Sequence, residues 1–158
     1  IPKYLRTRED HNDPLSIKYP LQLISPHPAY SFHTMYDGKG CWINEIPEHR
    51  VKMADDHYYW VIRINPVDAG KRGIKDNDIV KAYNDRGVVL LAAQVSERVP
   101  PGVVHSYESC AIYEPTGEPG NSPDKGGCIN LLTNHRFISK NACGMASNSC
   151  LIEVAKQD

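Results

Sequence analysis

The chain has 158 residues, of which 41% are hydrophobic and 23% charged. That length lets one domain bury roughly two-thirds of its unfolded surface without a disulfide or metal staple. The formal net charge is −1 and no Lys/Arg run occurs, which excludes the electrostatic footprint of a nucleic-acid binder.

Residues 1–18 are polar and aperiodic and read as a linker or wrapping arm, with the domain proper over 19–158. Ile1-Pro2 reads as an internal cut in a longer polypeptide. Leu21–Ser25, bounded by Pro20 and Pro26, suits a short strand. The chain from Tyr36 to His57 looks irregular, with an Asp37-Gly38-Lys39-Gly40 tip and a helical turn near Trp42–Ile46. The aromatic and β-branched run His57–Asn65 predicts a strand, with Tyr58, Tyr59 and Trp60 as core or rim and Arg63 solvated or docked on a neighbour.

Asn65-Pro66 ends that strand, Asp68 is expected to cap a turn over Ala69–Arg72, and Gly73 to leave it in the left-handed region. Lys75–Asp78 reverses the chain with Asn77 as the residue that tolerates positive φ. Ile79–Asn84 and Val88–Val95 read as a hairpin through Asp85-Arg86-Gly87. Val103–Glu108 is a further strand, Pro115–Gly127 a Gly/Pro-rich loop of functional length, Cys128–Thr133 a helical turn and Cys150–Ala155 a closing strand. Short strands, scarce helix and regular turns predict a mainly β fold, a closed barrel with short helical inserts.

No apolar run approaches the roughly 18 residues of a membrane span, so no membrane partner is expected. The five cysteines Cys41, Cys110, Cys128, Cys143 and Cys150 include no CxxC pair. They read as free thiols in a reducing, cytoplasmic compartment rather than as zinc or iron–sulfur ligands.

Four stretches carry a resemblance. SPHPAYSFHT (Ser25–Thr34), INPVDAGKRGIKDNDIV (Ile64–Val80), GGCINLLTNHRF (Gly126–Phe137) and the ending SKNACGMASNSCLIEVAK (Ser139–Lys156) resemble the C-terminal domain of the molybdopterin oxidoreductases, the dimethyl-sulfoxide-reductase superfamily. The wording LISPHPAYSFHT is most similar to its transhydroxylase branch. The resemblance implies a six- or seven-stranded double-psi β-barrel gripping molybdopterin guanine dinucleotide, two per enzyme, with molybdenum or tungsten. Contacts are implied for Ser25, His27, Pro28, Ser31, Phe32, His33 and Thr34, for Asn130, and for Ser139, Lys140 and Asn141. Catalytic groups and the metal's ligand are implied upstream in the same polypeptide, with an iron–sulfur partner subunit and a small aromatic substrate for the intact enzyme. Residues 1–158 alone are expected to lack turnover. Asn77 stands where the family usually has glycine, and His27 where many members have other residues.

The chemistry of those residues agrees with such a ligand. A pyrophosphate needs several donors without bulk, which Ser31, Thr34, imidazole and backbone N–H groups supply. A pterin or guanine edge needs the paired donor and acceptor of an amide such as Asn130 or Asn141. The competing reading is a polar loop whose hydroxyls cap its own backbone. His27 with His33 lacks a third metal ligand, and Ser31, His33 and Asp37 lack a nucleophile elbow. The Gly126-Gly127 pair allows close approach of either a ligand or another strand. Corresponding domains of formate dehydrogenases or oxyanion reductases would look alike, and double-psi barrels also serve as protein-recognition modules.

Overall fold

The computed structural model describes residues 1–3, 6–29, 46, 49–108, 112–145 and 148–157. The strands are β1 (Leu21–Ile24), β2 (Arg50–Lys52), β3 (Tyr58–Ile64), β4 (Ile79–Asn84), β5 (Gly87–Val95), β6 (Val103–Ser106), β7 (Phe137–Ser139), β8 (Ala142–Met145) and β9 (Leu151–Lys156). One short helix, α1 (Pro66–Lys71), and 3₁₀ turns at Pro14–Ile17 and Ile129–Leu131 complete the described elements.

Strand order β3-β5-β4-β9-β1-β6 closes on itself because β6 also pairs with β3, giving a six-stranded barrel. The fold class read from the sequence therefore holds. Two pairings, β1–β6 and β3–β5, are parallel, and the remaining four are antiparallel. Strand β2 pairs with the first half of β3, beside the stretch that β6 pairs with later in the same strand. Closure leaves no barrel edge unpaired, the usual answer to the hazard of exposed strand edges.

Alternation explains the core. Leu21 and Leu23, Trp60, Ile62 and Ile64, Val80 and Ala82, Val89, Leu91 and Ala93, and Ile152 and Val154 share one buried cluster. Each fully buried Leu or Ile contributes roughly 1.5–3 kcal/mol of hydrophobic stabilisation. A smaller outer cluster joins Tyr59, Leu90 and Ala92.

Gly73 and Asn77 both take the left-handed conformation expected of them, at φ +63 each. The cap of α1 departs from expectation. Asn65, not Asp68, is the N-cap, its side chain accepting from Val67 N at 3.0 Å, and Pro66 fills the first helical position. Asp68 is instead buried and its Oδ2 accepts from Gly102 N at 2.6 Å, tying the β5–β6 connection to the helix. The β4–β5 loop is two residues, Asp85-Arg86, because Gly87 already pairs with Asn84. Strands β2, β7 and β8 appear where the sequence suggested none, and β6 stops two residues early, at Ser106. Arg63 is buried at 5% exposure rather than solvated. The Asp37–Gly40 tip, and the Trp42–Ile46 turn apart from Ile46, lie outside the described residues.

The 115–127 loop is knit to the barrel by one side chain. Asp124 is wholly buried; its carboxylate accepts from Glu114 N at 2.7 Å, Gly126 N at 3.0 Å and Cys128 N at 2.7 Å. Its backbone N–H donates to Val88 O at 2.9 Å, so the loop lies against β5. The close approach made possible by Gly126-Gly127 is to the protein itself. A Cβ on Gly126 would sit 2.1 Å from Ile112 O, and one on Gly127 2.5 Å from Trp60 Cδ1.

Candidate functional site

Strand register brings the distant motifs to one end of the barrel. Strand β1 leaves there beside the start of β9, Gln22 opposite Leu151. Strand β9 enters beside the end of β4, Glu153 opposite Tyr83, and β4 turns into β5 at Asn84 and Gly87. Strand β6 leaves at the same end, Ser106 opposite Ile62 of β3. Every segment singled out as a contact region attaches to this end.

Ser25 follows β1 directly because Pro26 supplies no N–H and stops the ladder. Ser25 N donates to Asn148 Oδ1 at 3.1 Å, while Gln22 Nε2 donates to the Asn148 and Cys150 carbonyls, both at 3.0 Å. Asn134 Nδ2 donates to Ser149 O at 2.6 Å, so residues 148–150 join the exit of β1 to the 129–134 segment. Leu132 O is the second knot: it accepts from Asn84 Nδ2 at 2.9 Å, Arg86 Nε at 2.6 Å and Cys150 Sγ at 3.1 Å. Burial pushes the Cys150 thiol up to about 11 against the pull of Arg86, so the group stays protonated and donates.

The N-terminal arm belongs to this end. Ser149 Oγ accepts from Arg8 N and Glu9 N, both at 2.9 Å, and Glu9 grips Arg86 through two parallel bonds of 2.8 and 2.9 Å. Arg8 therefore reaches two adjoining cavities of about 600 and 370 Å³, which also share His135 and Arg136. The larger is bounded by Ser139 and Lys140, the smaller by Arg86 and Asn134. Arg8, Arg136 and Lys140 supply cations that suit phosphate groups, while the smaller cavity is also lined by Asp13 and by Glu9, whose carboxylate holds Arg86.

A family model described as the molydopterin dinucleotide binding domain matches residues 21–151. The chain belongs to that family. Its ligand class is therefore molybdopterin dinucleotide, the cofactor of molybdenum enzymes, as the four sequence stretches implied. The chain is 57% identical over 147 residues to the pyrogallol hydroxytransferase large subunit of Pelobacter acidigallici, covering 93% of this chain and 17% of that protein. It is 39% identical over 156 residues to dimethyl sulfoxide reductase DmsA of Escherichia coli, covering 99% of this chain and 17% of that protein. Acetylene hydratase from Pelobacter acetylenicus shares the fold, with TM-score 0.70 and 15% identity over 99% of this chain and 21% of that one. The chain spans about 17% of the length of the curated relatives it matches.

The implied contact residues fall into three groups. Ser25 and Pro28 are buried, while His27 is exposed and its Nδ1 is paired with a Glu108 carboxylate oxygen. Asn130 is exposed on the 3₁₀ turn, and Ser139, Lys140 and Asn141 form the exposed tip of the β7–β8 hairpin. At Ser139 the local-cap reading has substance, since its Oγ accepts from Asn141 N at 3.2 Å. Ser31, Phe32, His33 and Thr34 lie outside the described residues.

The fit to the cofactor is tested by an orphan. Ser25 Oγ is enclosed and has no hydrogen-bond partner among the described residues, and a buried hydroxyl in that state asks for a polar partner. Asn130 and the basic cleft add an amide edge and cations at the same end, so the donor set suits a nucleotide-tailed pterin. Sequence reading missed Arg8 and Arg136. Arg8 sits in an aperiodic arm with no motif, whereas Arg136 lay inside the quoted stretch GGCINLLTNHRF and its charge was the available signal. Among the described residues, no group of three His, Cys, Asp or Glu side chains is placed to hold a metal ion, and no helix is long and apolar enough to cross a membrane.

Proposed function

We propose that this barrel end grips molybdopterin guanine dinucleotide through Ser25, His27, Pro28, Ser31, Phe32, His33 and Thr34 after β1, Asn130 after the glycine pair, and Ser139, Lys140 and Asn141 at the β7–β8 tip. The observation that carries this reading is the buried Ser25 hydroxyl at the exit of β1, which has no hydrogen-bond partner among the described residues and stands beside the start of β9. Bound there, the dinucleotide supplies metal-centred chemistry, with molybdenum or tungsten. The residues of this chain orient it, exclude water and match its charge. In the intact polypeptide, Ser25→Ala and Asn130→Ala each lower the GMP released per mole of protein on acid hydrolysis, while Glu97→Ala on the opposite end leaves it unchanged. Full nucleotide content in both site variants rejects the assignment.

The intact protein, in this reading, carries upstream catalytic domains and an iron–sulfur partner subunit, and transfers hydroxyl groups between polyhydroxybenzenes such as pyrogallol and phloroglucinol. The 57% identity to a pyrogallol hydroxytransferase large subunit supports this over the 39% identity to a dimethyl sulfoxide reductase. The second reading is an oxyanion-type reductase or a formate dehydrogenase, and the 38% identity to trimethylamine-N-oxide reductase of Haemophilus influenzae favours the reductase side. Turnover of polyhydroxybenzenes without added reductant separates the two. A cytoplasmic location is supported by three free cysteines, Cys128, Cys143 and Cys150.

A further inference from the structure

Two enclosed side-chain atoms have no hydrogen-bond partner among the described residues: Ser25 Oγ and the indole Nε1 of Trp60. Trp60 is only 3% exposed and belongs to none of the implied contact segments. Both residues nevertheless face inward at the same barrel end. Trp60 precedes Ile62 and Ile64 in the buried series of β3, and Ser25 follows Leu21 and Leu23 in that of β1. Strand β6 runs between them, with His105 opposite Ile24 on one side and Ser106 opposite Ile62 on the other. Beyond the strand end, Glu108 N donates to Pro26 O at 3.2 Å, so residues 25–26 continue beside the position that antiparallel register brings opposite Trp60. Ser25 and Trp60 thus stand on the order of 10 Å apart, two strand spacings. Ser106, buried between them, is already satisfied, its hydroxyl donating to Val61 O at 2.9 Å.

The indole is held in one plane. Arg50 lies over its ring at 4.8 Å, and the His49 ring is near-parallel to it at 6.1 Å. Trp60 Cδ1, the atom bonded to Nε1, lies 2.5 Å from where a Gly127 Cβ would stand, which sets that edge of the indole beside the segment leading to Asn130. An indole N–H is a donor only, and burial strips it of water, so leaving it unpaired is costly. Buried tryptophans usually have a partner for this group. We propose, on the reading of this barrel end as a dinucleotide grip, that the missing acceptor is an oxygen or ring nitrogen of the dinucleotide and that Trp60 is a further contact residue for it. One elongated ligand then meets both orphans, Ser25 on one side of β6 and Trp60 on the other, whereas a single water reaches only one of them.

Trp60→β-(3-benzothienyl)alanine in the intact polypeptide exchanges the N–H for sulfur and keeps the shape of the ring system. The cofactor-free form, made in cells that cannot build the pterin, is expected to melt at the same or a higher temperature, because an unpaired donor has been removed. The loaded form is expected to release its dinucleotide into buffer about tenfold faster, read as GMP and oxidised pterin, through the loss of one enclosed hydrogen bond. Loading with nucleotide-free molybdopterin locates the acceptor: faster release of that form too assigns it to the pterin, and equal release assigns it to the nucleotide. A lower melting temperature of the cofactor-free variant means that the N–H has its partner within the protein, and unchanged dinucleotide release means that no ligand meets it; either result overturns the proposal. Full nucleotide content in Ser25→Ala and Asn130→Ala overturns the grip itself and this contact with it. Loss of nucleotide in those two variants, with unchanged release from the Trp60 variant, overturns the Trp60 contact alone.

Discussion

Glu9 and Arg86 face each other through two parallel hydrogen bonds, and the same Glu9 Oε2 accepts from Leu151 N at 3.0 Å. One carboxylate thereby fastens the arm, the β4–β5 hairpin and the first residue of β9. Glu9→Gln is expected to destabilise the domain by about 1–3 kcal/mol, since a charge-assisted pair and a backbone acceptor weaken together. Urea melts at low and high salt check this, with most of the difference surviving salt because Glu9 is largely enclosed.

Asp124 organises the long loop in the same manner. Asp124→Ala leaves three backbone N–H groups without their acceptor and is expected to cost about 3–5 kcal/mol, whereas Asp124→Asn costs less because one amide oxygen remains. Limited proteolysis should cut the alanine variant between residues 113 and 128 well before the parent chain.

Gly127 lies at φ +84 with Trp60 against the space a Cβ would fill. Gly127→Ala combines backbone strain with overpacking, and a loss of about 2–4 kcal/mol is expected. Thermal melts measure the loss, and Trp60 displacement should shift the tryptophan emission.

Two groups of titrations set the acid limb of stability. His105 is depressed from 6.5 to about 4, burial first and then the Arg63 charge, so the unfolded chain binds the extra proton in that window. Stability is then lost as pH falls from about 6.5 to about 4, and His105→Gln flattens that slope. Asp10 and Asp55 are held at about 2, by the hydrogen bonds from Arg6 and Lys125 respectively. Their contribution is present above about pH 4 and disappears as pH falls toward 2, with salt shrinking it more at Asp55, the more exposed of the two. Melting temperatures at pH 7, 5.5, 4 and 2.5 check both windows.

The barrel strands were legible because their burial has a period. His57–Asn65 and Ile79–Val95 announced themselves by β-branched content and by turn residues at their ends. Strand β2 is three residues of mixed burial, and β7 carries Phe137 and Ile138 exposed, so neither has a buried face to mark it. Asp68 was misread because both Asn65 and Asp68 are good caps, and only Pro66 at the first helical position decides between them. The burial of Arg63 was invisible because it depends on which strands flank β3, and that is set by register rather than by local sequence. The same holds for Arg8, which reaches the cleft only because Ser149, far along the chain, receives its backbone N–H.

The adjacency of β1 and β9 has a temporal consequence. Gln22 finds its neighbour Leu151 only after the long intervening stretch has been synthesised, and residues 148–150 are what anchor Ser25. Loops closed over such separations form late and slowly. The end of the barrel that carries Ser25 is therefore completed only after residues 148–151 have left the ribosome.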